Sequence, residues 1–354
     1  MRLTREMSDS SPLTVGQAVD WQFAGTVGAR LTRPGPAVSD YTRRQVIDEL
    51  ARASRTAEGP VREVTGLSVD APVPEARVVD RREWVAAASD SMRLMTGGAD
   101  GPANPITGRV AGAQTGAVLA FVSAGILGQY DPFAGPEGGA LLLVHPNVIA
   151  VERQLRVAPA DFRLWVCLHE VTHRVQFTAN PWLSGYMSQT LGMLTTDRDD
   201  DLTQVPARLA KFLKDRRTVD PGPNDTGVLG LLRAVQSEPQ RDALDRLLVL
   251  GTLLEGHADH VMDAVGPAVV PSVHTIRNRF DDRRQRKQPP LQRVLRALLG
   301  VDAKISQYTR GKAFVDHVVG RVGMARFNAV WSGPQTLPLP AEIESPQRWI
   351  DRVL

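Results

Sequence analysis

The chain of 354 residues is poor in cysteine and in aromatic side chains. Its single cysteine, Cys167, excludes an intramolecular disulfide, and only 5% of the residues are Phe, Trp or Tyr. The first thirty residues lack the continuous apolar segment that a secretory signal needs, so we expect a cytoplasmic protein. The sequence also lacks a P-loop and a Gly-x-Gly-x-x-Gly motif, which removes the common signatures of nucleotide-binding folds.

The charge of the chain is close to balanced, with a formal net charge of +3 at pH 7. A hydrophobic content of 42% and a charged content of 23% are typical of globular domains. A basic cluster before Pro289 is offset by Asp281 and Asp282, and no helix-turn-helix, zinc-finger or RNA-binding motif accompanies it. We therefore expect no nucleic-acid partner. The basic cluster comprises Arg277, Arg279, Arg283, Arg284, Arg286 and Lys287.

The longest stretch with few polar residues runs from Val110 to Leu127. It approaches the length of a transmembrane helix, but it contains Gln114 and is rich in small side chains. We expect a helix that its neighbours pack closely, and no membrane span.

The strongest chemical signal lies between Trp165 and Phe177, which read WVCLHEVTHRVQF. His169, Glu170 and His173 form the motif His-Glu-x-x-His, and in a helix positions i and i+4 project from one face. Both imidazoles can therefore ligate one zinc ion, while Glu170 lies beside it without having to ligate it. That position suits the base that takes a proton from zinc-bound water during hydrolysis.

Apolar residues lie on all sides of this helix, between a start signal at Pro159 and a stop signal at Pro181. A helix that is apolar all round is buried. Two imidazoles and a carboxylate are costly to bury unless something satisfies them, and a metal ion does so directly. The competing interpretation is a core helix whose polar groups hydrogen-bond to neighbouring side chains.

Two histidines leave a zinc site one protein ligand short. A second long helix is predicted from Gln240 to Gly266, and within it Glu255 and Asp259 share a face because they are four residues apart. We assign Glu255 as the third ligand and Asp259 as the hydrogen-bond acceptor of a ligand histidine N–H. Three further residues stay open as alternative third ligands: His257, His260 and Glu238.

His-Glu-x-x-His followed by Glu-x-x-x-Asp on a second helix resembles the gluzincin metallopeptidases, in which the glutamate is the third ligand and the aspartate orients a histidine. The chain from about Leu127 to Leu354 is similar to a zincin-like hydrolase family of actinobacteria, whose members are often associated with coenzyme F420 biosynthesis. The segments that carry this resemblance are LLLVHPNVIAVERQL, DFRLWVCLHEVTHRVQF, LLEGHADHVMDAVG, SQYTRGKAFV and FNAVW. Glu255 lies 82 positions after His173, which departs from the simplest gluzincin pattern and requires a long insertion.

The resemblance implies a zincin-like metalloprotease fold that is mainly α (α+β), with a small β-sheet beside the His-Glu-x-x-His helix. We expect three segments that pack as one continuous unit. Residues 1–126 form an N-terminal helical region, residues 127–270 form the catalytic core with both site helices, and residues 271–354 form a C-terminal helical region.

Local patterns predict the elements around the motif. A helix is predicted from Asp40 to about Ala57, with a short strand or an extended connection from Val61 to Val69. Residues 128–132 are predicted to form a turn. Ala140–Val144 is predicted as a strand that ends at His145, a turn residue. By analogy with zincins, the edge of this strand is where an extended peptide would pair.

The function implied is a zinc-dependent hydrolase, a metallopeptidase in which Glu170 activates a zinc-bound water to attack the carbonyl of a peptide or amide substrate. Zn²⁺ is the expected cofactor because two imidazoles and one carboxylate suit it best. The alternative is a catalytically silent binding or accessory protein on a zincin scaffold, linked to coenzyme F420 metabolism. No deazaflavin-binding motif is visible, so F420 is not assigned as a cofactor.

Overall fold

A computed structural model describes residues 15–68, 73–98, 101–135, 139–195, 237–285 and 301–354. The first part of the chain forms α1 (Val15–Ala18), α2 (Trp21–Leu31), α3 (Asp40–Thr65), β1 (Arg77–Val79), α4 (Arg81–Met95), α5 (Pro105–Ser123), β2 (Gly128–Asp131), β3 (Ala140–Val144), α6 (His145–Leu155), α7 (Pro159–Ala179) and α8 (Trp182–Thr195).

The C-terminal part consists of helices and short helical turns. They are α9 (Glu238–Val265), α10 (Val273–Gln285), α11 (Val301–Val322), α12 (Met324–Phe327), the 3₁₀ turns Asn328–Trp331 and Pro334–Thr336, α13 (Pro340–Glu344) and α14 (Pro346–Val353). The described chain is therefore mainly α with one small sheet, which confirms the predicted fold class.

The three-stranded sheet has the order β1-β3-β2, with β1 parallel and β2 antiparallel to β3. Four of the five residues of β3 are buried, as expected for a central strand. The expectation that β3 offers an edge to a peptide is wrong, because β1 and β2 occupy both of its edges. The turn predicted at residues 128–132 is also wrong, since Gly128–Asp131 forms the edge strand β2 and pairs Tyr130 with Leu141.

Helix α3 is longer than predicted and absorbs the start of the segment expected to be extended. It continues through Pro60 because Ala57, Val61 and Thr65 recur at helical spacing and are fully buried. The helix ends at Gly66, which adopts the left-handed conformation (φ 64°) that glycine tolerates best.

The small-residue stretch forms α5, which packs against α2. A Cβ atom added to Gly112 would lie 2.6 Å from the Asp20 carbonyl oxygen, and one added to Gly116 would lie 2.4 Å from that of Ala24. Close helix packing therefore explains the small residues, as predicted. Within the described ranges, no helix combines the length and the apolarity that crossing a bilayer requires.

Two of the three hydrophobic clusters in the described residues include residues of α7 or α9. The first surrounds α7 and joins Val46, Phe162 and Ile276, which come from all three predicted segments. The second contains Leu250 of α9 with Phe314 and Trp349 from the C-terminal helices. Helix α9 contributes to both clusters, because Val261 and Met262 belong to the first. The two helices that carry the predicted metal ligands are thus fixed by the main core.

Several arginines of the basic cluster bind other parts of the fold. Arg277 lies 2.7 Å from Asp263, Arg279 donates to the carbonyls of Leu155 and Arg156, and Arg283 donates to Gln154. These contacts attach α10 to α6 and α9. The side chains of Arg284, Arg286 and Lys287 lie outside the described residues.

Candidate metal centre

Helix α7 presents His169 and His173 one turn apart, as the motif predicts. Their Nε2 atoms are 3.2 Å apart, and the ring planes are nearly perpendicular at 88°. Both side chains are largely buried, with 17% and 14% of their surface exposed. The two imidazoles therefore converge on one point through their Nε2 atoms.

Glu255 of α9 completes a triangle with the two histidines. Its Oε2 atom is 3.3 Å from His169 Nε2 and 3.8 Å from His173 Nε2. Ligands at zinc–ligand distances of about 2.0–2.1 Å in a tetrahedral site lie about 3.3–3.4 Å from one another. The three atoms thus have the chemistry and the spacing of a three-ligand zinc site, and His169, His173 and Glu255 are the one such group found in the described ranges.

The structure places the three alternative third ligands elsewhere. His257 is fully buried, accepts a hydrogen bond through Nδ1 and packs against Phe327 and Trp331. His260 pairs with Asp316 at 2.7 Å. Glu238 is exposed at the first turn of α9, more than four helical turns before Glu255.

The pKa values of His169 and Glu255 are shifted in opposite directions. Burial lowers the pKa of His169, but the hydrogen bond with Glu255 and the charges of Glu170, Glu255 and Asp259 outweigh it and raise that pKa to about 9. Burial raises the pKa of Glu255, but its contacts with His169 and His173 hold it well below its usual range. The centre is therefore negative enough to favour a cation, which a metal-free chain satisfies by protonating His169.

Gln176 orients His173, a role that the sequence analysis missed. Its Oε1 lies 2.9 Å from His173 Nδ1, while its Nε2 donates to the Leu254 carbonyl and to His257 Nδ1. His173 Nδ1 must carry the proton in this arrangement, so its Nε2 lone pair faces the centre. The spacing of three residues after His173 was the available signal, since such positions adjoin on a helix.

Glu170 lies against the edge strand, on the sheet side of α7. The residue is 7% exposed, and a Cβ atom on Gly128 of β2 would lie 2.6 Å from Glu170 Cγ and 2.8 Å from its Cδ. Gly128 therefore leaves the room that the Glu170 side chain occupies. The predicted base and the sheet edge are in direct contact.

A second glycine contact fixes the Glu255 helix. A Cβ atom on Gly256 would lie 2.1 Å from the carbonyl carbon of Gly311 in α11, and one on Gly311 would lie 2.0 Å from the Thr252 oxygen. The backbones of α9 and α11 thus touch beside Glu255. No larger residue fits at either position without separating the helices.

The Oδ1 atom of Asp259 lies 3.4 Å from Arg277 Nη1, and Gln176 rather than Asp259 is the partner of His173 Nδ1. The carboxylate is nevertheless close enough to His169 to contribute to the raised pKa of that imidazole. Its predicted hydrogen bond to a ligand histidine stays a proposal.

The chain resembles known proteins in its sequence family and in its structure. No curated protein matches the chain. The crystal structure of a "putative hydrolase with a novel fold" from Chloroflexus aurantiacus is similar to it, with 30% identity, a TM-score of 0.66, and coverage of 94% of this chain and 98% of that one. The family model described as zincin-like metallopeptidase matches residues 19–350, which include both helices of the centre. The chain therefore belongs to the zincin-like metallopeptidase family.

Proposed function

We propose that the protein is a zinc-dependent metallopeptidase that hydrolyses an amide bond of a peptide. Membership of the family supports metal-dependent hydrolysis in general. The observation that carries the proposal is the triangle of His169, His173 and Glu255 ligand atoms, with edges of 3.2, 3.3 and 3.8 Å, beside a buried Glu170.

In this proposal His169 Nε2, His173 Nε2 and Glu255 Oε2 hold the ion. Zinc supplies a Lewis acid that polarises a carbonyl and lowers the pKa of water to about 7. The three residues would hold zinc without a fourth protein ligand, as in catalytic rather than closed structural sites. Gln176 keeps His173 in the tautomer that ligates, and Asp259 is proposed to accept the N–H of His169.

Glu170 is the proposed general base and acid. It removes a proton from the attacking water and then delivers that proton to the nitrogen of the leaving amine. Gly128 leaves the room that the Glu170 side chain occupies against β2. A purely structural metal site has no use for this carboxylate, which favours hydrolysis over the catalytically silent alternative.

The sheet offers a place for the substrate. In the described part of the chain β2 pairs with β3 on one side, so its other side is an edge. An extended peptide that pairs with this edge would run past Glu170, because Gly128 touches that side chain. Backbone hydrogen bonds of this kind recognise peptides as a class, which supports a peptide substrate.

The experiment that tests the proposal combines metal analysis with a peptidase assay. Mass spectrometry measures zinc per chain in the wild type and in His169→Ala, Glu255→Ala and Glu170→Gln, and a mixed peptide library then reports hydrolysis. We expect about one zinc per chain in the wild type and in Glu170→Gln, with loss of zinc in the other two. Peptide hydrolysis is expected in the wild type alone.

The other outcomes are also informative. Full zinc retention in Glu255→Ala would move the third ligand to another residue. A wild type that takes up no zinc after loading would refute the metalloenzyme proposal. A wild type that binds zinc but cleaves no peptide would favour the silent accessory protein, for which the link to coenzyme F420 stays a prediction.

A further inference from the structure

His257 of α9 is fully buried but takes no part in the proposed hydrolysis, although it lies two residues after Glu255. Its ring stacks on Phe327 with the centroids 5.5 Å apart and meets Trp331 at 5.4 Å. Its Nε2 atom has no hydrogen-bond partner among the described residues. A buried nitrogen without a partner is unfavourable, and an apolar side chain would fill the same place without one. The group that an apolar residue would not supply here is a hydrogen-bond acceptor, the Nδ1 atom.

The Nδ1 atom of His257 binds the side-chain amide of Gln176 on α7. Gln176 is fully buried, and its Nε2 atom lies 2.9 Å from His257 Nδ1 and 3.0 Å from the carbonyl oxygen of Leu254. An amide nitrogen carries two N–H groups and cannot accept, so each contact uses one of them. In the reversed amide orientation Gln176 Oε1 would face the Leu254 oxygen, and two acceptors would meet. Two acceptors of α9 therefore determine which way the Gln176 amide points.

The orientation of this amide determines the tautomer of His173. Gln176 Oε1 lies 2.9 Å from His173 Nδ1 and can only accept, so Nδ1 carries the proton and Nε2 keeps its lone pair. His173 Nε2 is the atom that lies 3.2 Å from His169 Nε2 and 3.8 Å from Glu255 Oε2. A line of hydrogen bonds thus joins His257 to the proposed ligand His173 through Gln176. It requires the proton of the His257 ring on Nε2.

We propose that His257 is a positioning residue of the metal centre, which keeps the Gln176 amide in the orientation that makes His173 a zinc ligand. This inference rests on the proposed zinc site and extends it, since His257 acts through Gln176 rather than on the metal. Partners of this kind fix the tautomer and the ring orientation of ligating histidines. The ring of His257 packs in turn against Phe327 of α12 and Trp331 of the following 3₁₀ turn. The C-terminal part of the fold therefore supports the geometry of the centre.

A matched pair of substitutions tests this role. Relative to Cβ, the Oδ1 atom of an asparagine takes the place of histidine Nδ1, and leucine has the shape of asparagine without the acceptor. We expect His257→Leu to weaken zinc binding about tenfold, at the lower end of the range for partners of ligating histidines, because Leu254 still holds one N–H of Gln176. His257→Asn should stay within about threefold of the wild type. Competition with a chelator measures both affinities per folded chain.

Packing alone cannot produce this difference, because both variants lose the ring contacts with Phe327 and Trp331. A second measurement, on the wild type, decides the matter even if neither variant folds. Proton–nitrogen correlation spectra of the full-length chain with isotope-labelled histidine report the tautomer of each ring, and backbone resonances assign the seven histidines. We expect the proton of His257 on Nε2 with and without zinc, and that of His173 on Nδ1 in the zinc-loaded chain.

Equal zinc affinities in His257→Leu and His257→Asn would overturn the proposal and leave His257 as a packing residue. A proton on Nδ1 of His257 would also overturn it, whatever the variants show. A wild type that takes up no zinc would refute the zinc site and this inference together, whereas equal affinities in a protein that binds zinc would refute this inference alone. None of these measurements uses peptide hydrolysis, so they do not depend on the substrate.

Discussion

Helix α7 buries two sets of polar side chains that differ in how they are neutralised. At its start Arg163 makes a two-pronged contact with Glu152, at 2.8 and 3.0 Å, and also meets Glu49. Near its end Arg174 donates to Glu58 at 2.6 Å. Each of these cations has a carboxylate of another helix as its partner. Between them, the histidine pair and Glu255 present three ligand atoms to one another.

This difference indicates that the two arginine ion pairs stabilise the fold, whereas the histidine pair and Glu255 form the candidate site. Arg163 donates to Glu152 and Glu49, and Arg174 donates through Nη1 and Nη2 to the Pro74 carbonyl and to Glu58, so the fold itself neutralises both charges, although Arg174 Nε has no partner among the described residues. His169, His173 and Glu255 bring lone pairs to one point, and such an arrangement is complete only with a proton or a metal cation in it. Burial of polar groups alone therefore does not mark a site. The marker is a set of groups that all require the same missing partner.

The largest expected effect comes from breaking the Arg163 ion pair. Arg163→Met leaves Glu152 buried and unpaired, which should lower the free energy of unfolding by about 3–5 kcal/mol. Urea unfolding measures the loss. Zinc per folded chain should stay at the wild-type value, because Arg163 lies nearly two turns before His169.

Arg55→Met is the control for this change. Arg55 pairs with Glu75 at 3.1 Å, but both side chains are more than half exposed, so its loss should cost less than about 1 kcal/mol. An Arg163→Met protein that keeps its stability and loses zinc would show that the two sets of groups on α7 are not separable.

Much of this helix and its motif could be predicted from sequence. The apolar residues around His169 predicted burial, and the i, i+4 spacing predicted convergence of the imidazoles. Glu255 could be proposed from a second helical spacing, although no local pattern fixes the distance between two helices 82 positions apart. The sheet was predicted less accurately. Gly128, Gln129 and Asp131 are typical turn residues, and only their backbone pairing with β3 makes this segment a strand.

The next prediction compares two properties of the same centre, zinc binding and peptide hydrolysis. Gly128→Ala would place a methyl group against Glu170 Cγ and displace the proposed base. We expect wild-type zinc content and a loss of about a hundredfold in peptide hydrolysis, the size that a displacement of about 1 Å produces. Gly251→Ala on α9 is the control, since a Cβ atom there meets nothing within 4 Å. Unchanged hydrolysis would show that the contact between Glu170 and β2 does not affect catalysis.

Substitutions of Gln176 test whether zinc binding depends on the hydrogen bond between Gln176 and His173. Gln176→Leu removes the acceptor of His173 Nδ1 and should weaken zinc binding about 10–100-fold, measured by competition with a chelator. Gln176→Glu keeps an acceptor oxygen for His173 and gives up the donor to Leu254 and His257. It should retain more affinity than Gln176→Leu. Equal losses would assign Gln176 to helix packing rather than to His173.

The smallest expected effect is the pH dependence of zinc binding. This dependence reports the proton that His169 must lose before it can ligate zinc. With the pKa of His169 raised to about 9, the metal-free imidazole is protonated at pH 7 and must lose that proton before it ligates. Zinc affinity should therefore rise about tenfold per pH unit up to about pH 9 and then level.

Chelator competition from pH 6.5 to 9 measures this slope, and Glu255→Gln provides the comparison. Loss of that carboxylate removes the hydrogen bond and one of the charges that raise the pKa of His169. The variant should bind zinc more weakly at every pH, and its slope should flatten at a lower pH than in the wild type. Arg163 is not among the groups that shift the pKa of His169, so Arg163→Met should reproduce the wild-type slope. Identical slopes in wild type and Glu255→Gln would mean that the third ligand does not control the proton at His169.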